Sequence, residues 1–319
     1  MCKSGCNRMI FSMLLVASLA LDARSQSSVN RFLTPADSIN KARVIGVACT
    51  WAGIYTGTLI VLNQTWYSDY PKTTFHFFND SGEWLQMDKA GHVYTAYFES
   101  VWTTHALEWT GMNKKKAAWI GGATGFVFQS TLEILDGFSE EWGASPGDIV
   151  ANAAGSAICI SQQLLWNEQR IQIKFSAHPV SYGEDVKARA EDLFGNSLAE
   201  KTLKDYNGQT YWLSVNPASF TNRDHSKFPE WLNFSIGYGA SGMLGGFENK
   251  WEENGETIER SDIPRLRQFY LSADLDLTRI KTNSQLLKTV FGIVNIIKIP
   301  APTLEINSDG AVKFYPLYF

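Results

Sequence analysis

"LDGFSEEWGASPGDIVANAAG", residues 135–155, decides how the chain is read. The carboxylates Asp136, Glu140, Glu141 and Asp148 stand there between runs suited to burial. Ser145 is a natural N-cap, Pro146 fits a first helical position, and Asp148 suits the positive end of a helix dipole. A helix therefore begins at 145–148, and the residues before it form the corner of a helical hairpin. On either side, 117–132 and 149–167 carry no charge and are rich in Gly, Ala and Ser, which allow close helix approach. Further upstream, "MDKAGHVYTAYFESVWTTHALEW" (87–109) reads as a helix with a mixed face, broken by "GMNKKK" (111–116). Residues 44–68 are uncharged and long enough to span a bilayer, with Trp51, Trp66 and Tyr67 suited to an interface. The region 40–167 is thus expected to be a bundle of about four apolar helices.

Each of three helices carries a polar stripe. Residues at i, i+4, i+7 and i+11 share one helix face, and this spacing aligns Asp88, His92 and Glu99, then Gln129, Glu133 and Asp136, then Asp148, Asn152 and Gly155. Because buried charge must be paired or hydrogen-bonded, the stripes are expected to face one another as a polar seam. Gly91, Gly121, Gly122, Gly125 and Gly155 would let the helices close on it. The candidate site is Asp88, Lys89, His92, Glu99, Gln129, Glu133, Asp136, Asp148 and Asn152. Three uses stay open. A hydrogen-bonded network of Asp88, Lys89, His92 and Asp148 could fix helix register. His92 beside a carboxylate could do acid–base work near neutral pH. His92, Glu133 and Asp136 could hold a divalent metal; no other cofactor is expected.

Past Asn167 the pattern changes. Residues 168–230 read as a polar connector with an amphipathic helix around 186–206. From Trp231 the period is two: Phe269, Leu271, Ala273, Leu275 and Leu277 fall on one face, and Gln268, Tyr270, Ser272, Asp274, Asp276 and Thr278 on the other. "NSDG" (307–310) is a favoured hairpin turn. The fold class expected is therefore α+β, a helical bundle followed by an antiparallel β region at 231–319. Four to six strands are too few for an independent membrane barrel.

The remaining features address the chain rather than catalyse. Lys3 and Arg8 precede the apolar run 9–21 and then "DARSQSS", the pattern of an export signal ending near Gln26. A net charge of −4 gives no footprint for nucleic acid. No G-x-S-x-G, P-loop or dinucleotide fingerprint is present. Cys49 and Cys159 lie in apolar stretches and read as free buried thiols, with a disulfide between their two helices left open. The closing "YPLYF" resembles the C-terminal signal of outer-membrane β-proteins.

"DKAGH" (88–92) followed by 135–155 resembles the YfiM-like family of predicted periplasmic lipoproteins of unknown function and, more distantly, the VanZ-like membrane proteins. The matching positions are Asp88, Lys89, His92, Glu133, Asp136, Asp148, Asn152 and Gly155, within about 40–165. The resemblance implies a helical module of the cell envelope, linked through VanZ-like proteins to envelope lipids or precursors. No lipidation cysteine follows the signal, and the strand-rich half is an addition, so the sheet is the expected anchor. The expectation is an exported module at the outer membrane or periplasmic face, non-enzymatic or only conditionally enzymatic, that is structural or binds a lipid or envelope precursor, with a membrane lipid or an outer-membrane protein as its partner. The rival is a hydrolase or transferase acting on a lipid-linked phosphate.

Overall fold

The computed structural model describes residues 23–63, 71–140, 142–221 and 228–319. Most of the expected leader at 1–26 falls outside these, as do Trp66, Tyr67, Glu141 and His225.

The described residues begin with α1 (Ala23–Leu33) and α2 (Lys41–Leu62). Asn40 caps α2 by accepting from the Arg43 backbone N–H at 3.1 Å. Three further helices follow, α3 (Met87–Trp109), α4 (Lys114–Asp136) and α5 (Pro146–Trp166), and they pack pairwise into a bundle. Asn113 caps α4, and Ser145 caps α5 as expected, with Pro146 in its first turn. Small residues set the helix spacing. A Cβ on Gly125 would overlap the Ala96 carbonyl, and one on Gly155 would overlap that of Val93. Ser100 Oγ donates to the Gly122 carbonyl at 2.6 Å, and the Phe126 N–H donates to Ser156 Oγ at 2.8 Å, which ties the three helices at one level.

α2 stands apart from this bundle and buries none of its residues. Its ties to the bundle among the described residues include two sets of ring and hydrogen-bond contacts. The Arg43 guanidinium donates to the carbonyls of Thr34 and Trp109 at 2.8 and 2.9 Å and lies 4.4 Å over the Trp109 ring. Phe128 of α4 stacks on Tyr55 at 4.4 Å and meets Trp51 edge-on at 5.7 Å. By length and composition, α2 and α5 are each long and apolar enough to cross a membrane. Cys49 on α2 is exposed and Cys159 on α5 is buried; both thiols are free. The burial expected of Cys49 does not hold, because the helix carrying it is not packed into the bundle.

The second half is an antiparallel sheet of six strands. Two of them, β1 (Ile171–Ala177) and β2 (Gln209–Val215), arise inside 168–230. The others are β3 (Leu232–Ser241), β6 (Leu266–Leu275), β7 (Ala301–Asn307) and β8 (Val312–Tyr318), in the order β1-β2-β3-β6-β7-β8. Between β3 and β6, β4 (Lys250–Glu253) and β5 (Glu256–Glu259) form a separate hairpin. The amphipathic helix expected at 186–206 is two, α6 (Lys187–Phe194) and α7 (Leu198–Lys204). Gly195 ends the first at φ 75°, and a Ser197–Glu200 capping box starts the second. A short amphipathic α8 (Gln285–Val294) precedes β7.

The sheet is inverted relative to water-soluble practice. Facing residues Leu213, Ile236, Leu271, Leu304 and Phe314 form an apolar row across five strands, and all are exposed. The next row, Ser214, Ser235, Ser272, Thr303 and Tyr315, lies on the opposite face. That face also carries Lys174, Asn233 and Asp274, each at most 1% exposed. The polarity that makes 168–230 read as a connector is thus the polarity of a sheet interior: Gln172, Lys174 and Ser176 of β1 and Thr210 and Ser214 of β2 are all buried.

Burial of the polar face follows from curling. Thr210 Oγ1 of the second strand lies 3.0 Å from Tyr318 Oη of the sixth, whereas four flat strand spacings would separate them by about 19 Å. The Phe175 N–H also donates to the Ile296 carbonyl at 2.9 Å, and Lys298 returns a bond to Phe175 at 2.8 Å, so the β1 edge is met by the approach to β7. On the outer face of β1 and β2, Tyr94 of α3 packs against Phe175 and Tyr211 with ring centroids 5.5 and 5.8 Å apart. The bundle covers that part of the apolar face and leaves the rest open.

Candidate functional site

The site forms at the end of the bundle where α3 and α5 begin and α4 ends. Its entry is an unusual piece of backbone. Trp84, Leu85 and Gln86, none of them glycine, all adopt left-handed conformations immediately before Met87, at a cost of order 1 kcal/mol or more each. The sheet holds them there. Tyr238 of β3 and Arg267 of β6 both donate to the Leu85 carbonyl, the latter at 3.0 Å, and the Trp84 N–H donates to Gly246 at 2.7 Å. The direction in which α3 starts is therefore fixed from the other half of the molecule.

That start presents Asp88, Lys89 and His92. Lys89 Nζ lies 2.6 Å from Asp80 Oδ2, 2.8 Å from Asp148 Oδ1 and 3.2 Å from Asp88 Oδ2. His92 turns its two nitrogens to different partners. Nδ1 is 2.9 Å from Asn152 Oδ1, so it carries the proton and donates. Nε2 faces Glu133 Oε1 at 3.5 Å and Asp88 Oδ1 and Asp148 Oδ1 at 3.8 Å each. The surrounding groups are themselves held. Tyr206 donates to Asp88 Oδ1 at 2.9 Å, the Ser145 N–H donates to Glu133 Oε2 at 3.1 Å, and Ser145 Oγ donates to Asp80 Oδ1 at 2.6 Å. The Ser145 hydroxyl also accepts from the Asp148 N–H at 3.0 Å, so the helix cap and the site share one side chain.

Four carboxylates thus meet one ammonium and one imidazole in a largely buried space. Burial pushes the Asp80 carboxyl up, but hydrogen bonds with Asp148, Lys89 and Ser145 outweigh it and hold the group below its usual value. Asp88, Lys89, His92, Glu133, Asp148 and Asn152 come together as the aligned stripes imply. Glu99 and Gln129 form their own pair, Gln129 Nε2 donating to Glu99 Oε1 at 3.1 Å, deeper between α3 and α4. Asp136 is half-buried at the last turn of α4 and is not among the converging donors. The metal-type grouping in the structure is Asp88, His92 and Asp148, one donor atom from each lying within 4.8 Å of the others, rather than His92, Glu133 and Asp136. Asp88 and Asp148 begin their helices and so point across the bundle end, whereas Asp136 lies nearly one turn past Glu133.

Sequence reasoning missed Asp80 and Tyr206. Asp80 lies in a loop, where helical spacing gives no signal, and Tyr206 arrives from the region between β1 and β2. Residues 76–163 match a family described as predicted periplasmic lipoproteins, DUF2279. This is the resemblance carried by the D-K-x-x-H helix and the residues at 135–155. The match begins just ahead of Asp80, runs into the last turns of α5, and contains every member of the cluster except Tyr206. The lipoprotein-family segment is thus the bundle with its site, while α2 and the sheet lie outside the matched residues. It supports an exported protein at the periplasmic face of the cell envelope. No curated protein and no solved structure matches the chain.

Proposed function

We propose that the protein is a membrane-seated module of the cell envelope, held in lipid by α2 and the outer face of its sheet. Its bundle would present the carboxylate–histidine cluster to a lipid headgroup or envelope precursor. The observation that carries this reading is the inverted alternation of the sheet. An antiparallel strand with one wet face turns its apolar side to the core, whereas strands in an outer membrane turn it to lipid and keep a polar interior. Here the exposed row runs Leu213, Ile236, Leu271, Leu304, Phe314 and the buried row carries hydroxyls. α2 adds 22 residues with none buried, a length of about 33 Å against a hydrocarbon core of about 30 Å. The bundle also exposes large apolar side chains, among them Trp119, Ile120, Val127, Val150 and Leu165.

The test is reconstitution of the full chain into phosphatidylethanolamine–phosphatidylglycerol vesicles, followed by alkaline carbonate extraction. The wild type is expected to stay with the vesicles, and Ile236→Lys to be released in part, since a lysine on a lipid-facing strand costs about 2–4 kcal/mol near the bilayer centre. Complete release of the wild type would sink the reading.

A second reading, hydrolysis or transfer at a lipid-linked phosphate, is favoured by His92 Nε2, which faces carboxylates at 3.5–3.8 Å without a close hydrogen bond. A phosphate entering among these carboxylates meets repulsion unless a cation stands between them. In this reading His92→Gln abolishes phosphate release from a lipid diphosphate while the variant stays folded.

A further inference from the structure

We infer that Asp88, His92 and Asp148, with Glu133 as a fourth donor, bind one divalent cation of the Zn2+ or Mn2+ kind. The inference is independent of the membrane reading. Donors sharing an ion at about 2.1 Å stand about 3–3.5 Å apart. Asp88, His92 and Asp148 each offer a donor atom within 4.8 Å of the others, and Glu133 Oε1 lies 3.5 Å from His92 Nε2, so side-chain rotations of roughly an ångström would bring the donors onto one ion. One imidazole with carboxylates is a borderline nitrogen–oxygen donor set suited to such ions.

The second layer is in place as well. A metal-binding imidazole keeps its other N–H on an acceptor, which fixes the tautomer and aims the free nitrogen. Asn152 Oδ1 does this to Nδ1 at 2.9 Å, Tyr206 orients Asp88, and the Ser145 N–H orients Glu133.

One buried atom independently points to something more at this place. Asn152 Nδ2, on a wholly buried residue beside the His92 ring, has no acceptor. Buried groups of this kind are normally satisfied, and a water or oxyanion held in the cluster would supply the acceptor. Asp148 Oδ1, on a side chain only 5% exposed, already holds a cation, Lys89 Nζ at 2.8 Å. Lys89 fills the electrostatic role meanwhile. Its shortest ion pair is to Asp80, at 2.6 Å, so it has a partner to keep when a divalent ion displaces it from Asp88 and Asp148.

The experiment is calorimetric titration of chelator-stripped, detergent-purified full chain with ZnCl2 and with MnCl2, read beside metal analysis after dialysis. One equivalent is expected to bind and to raise the melting temperature. His92→Gln and Asp148→Asn are expected to weaken binding at least tenfold. Lys89→Gln, which removes the competing ammonium, is expected to bind as tightly as wild type or more so, and it keeps the proposal testable where a ligand variant does not fold. Absence of stoichiometric binding in both the wild type and Lys89→Gln overturns the proposal. Wild-type affinity in a folded His92→Gln places the ion elsewhere and overturns it equally.

Discussion

At the scale of single residues, His92 joins all three bundle helices, through Asn152 and Asp148 on α5, Glu133 on α4 and Asp88 on its own α3. Its removal leaves the buried Asn152 carboxamide oxygen without its donor and several carboxylates facing one another. His92→Ala is therefore expected to lower stability by about 1–3 kcal/mol, read as a shift of the thermal midpoint in metal-free buffer. Asp80 gives a pH signature. Its folded carboxyl titrates below its ordinary value of 3.8, so its contribution is fully present above that value and is lost as the pH falls through the folded pKa. Asp80→Asn is expected to be less stable than wild type at pH 7, with a shallower loss of stability below about pH 4. Melting curves at pH 3–7 compare the two, and parallel acid limbs would refute the assignment.

At the scale of elements, the backbone of α3 is approached so closely that Gly125 and Gly155 admit no side chain. Gly125→Ala is expected to push α4 from α3 and cost about 1–3 kcal/mol, against the gain in helix propensity an alanine brings at an open site. Equilibrium denaturation decides the sign. These helices were legible because their signals are local: the S-P-G-D start, the stripe spacing and the small residues lie within a few turns of one another. What was not legible depends on distant parts. Nothing near Trp84, Leu85 and Gln86 announces three left-handed residues, because Tyr238 and Arg267 hold them from β3 and β6. β1 and β2 stayed hidden because Lys174, Gln172 and Ser214 read as solvated when judged by polarity alone, and only the curl of the sheet encloses them. The period-two pattern of β6 gave the two faces correctly but not which faces inward.

At the scale of the whole molecule, the six-stranded sheet keeps polar and charged groups inside and turns apolar ones outward. Within the curled sheet Lys174 Nζ sits 2.8 Å from Asp274 Oδ2, both side chains fully buried. Lys174→Met strands the carboxylate and is expected to cost about 3–5 kcal/mol, whereas the double change Lys174→Met, Asp274→Leu should recover much of it. Unfolding in detergent micelles measures both, and equal losses in the single and double variants would refute the pairing.

The closure of that sheet also sets an order of events. The bundle joins consecutive helices, whereas Lys174 finds Asn295 only across 121 residues of chain, and folding slows as contacts become distant in sequence. The packing of α3, α4 and α5 can thus precede the arrival of Tyr206, Tyr238 and Arg267, which complete the cluster and its entry. During that interval β1 and β2 can already rest on the Tyr94 side of the bundle, while the outer faces of β3, β6, β7 and β8 have no such shelter. A chain of this design is most exposed to aggregation after its helices have packed and before its sheet has curled, when the apolar outer rows of the strands stand uncovered.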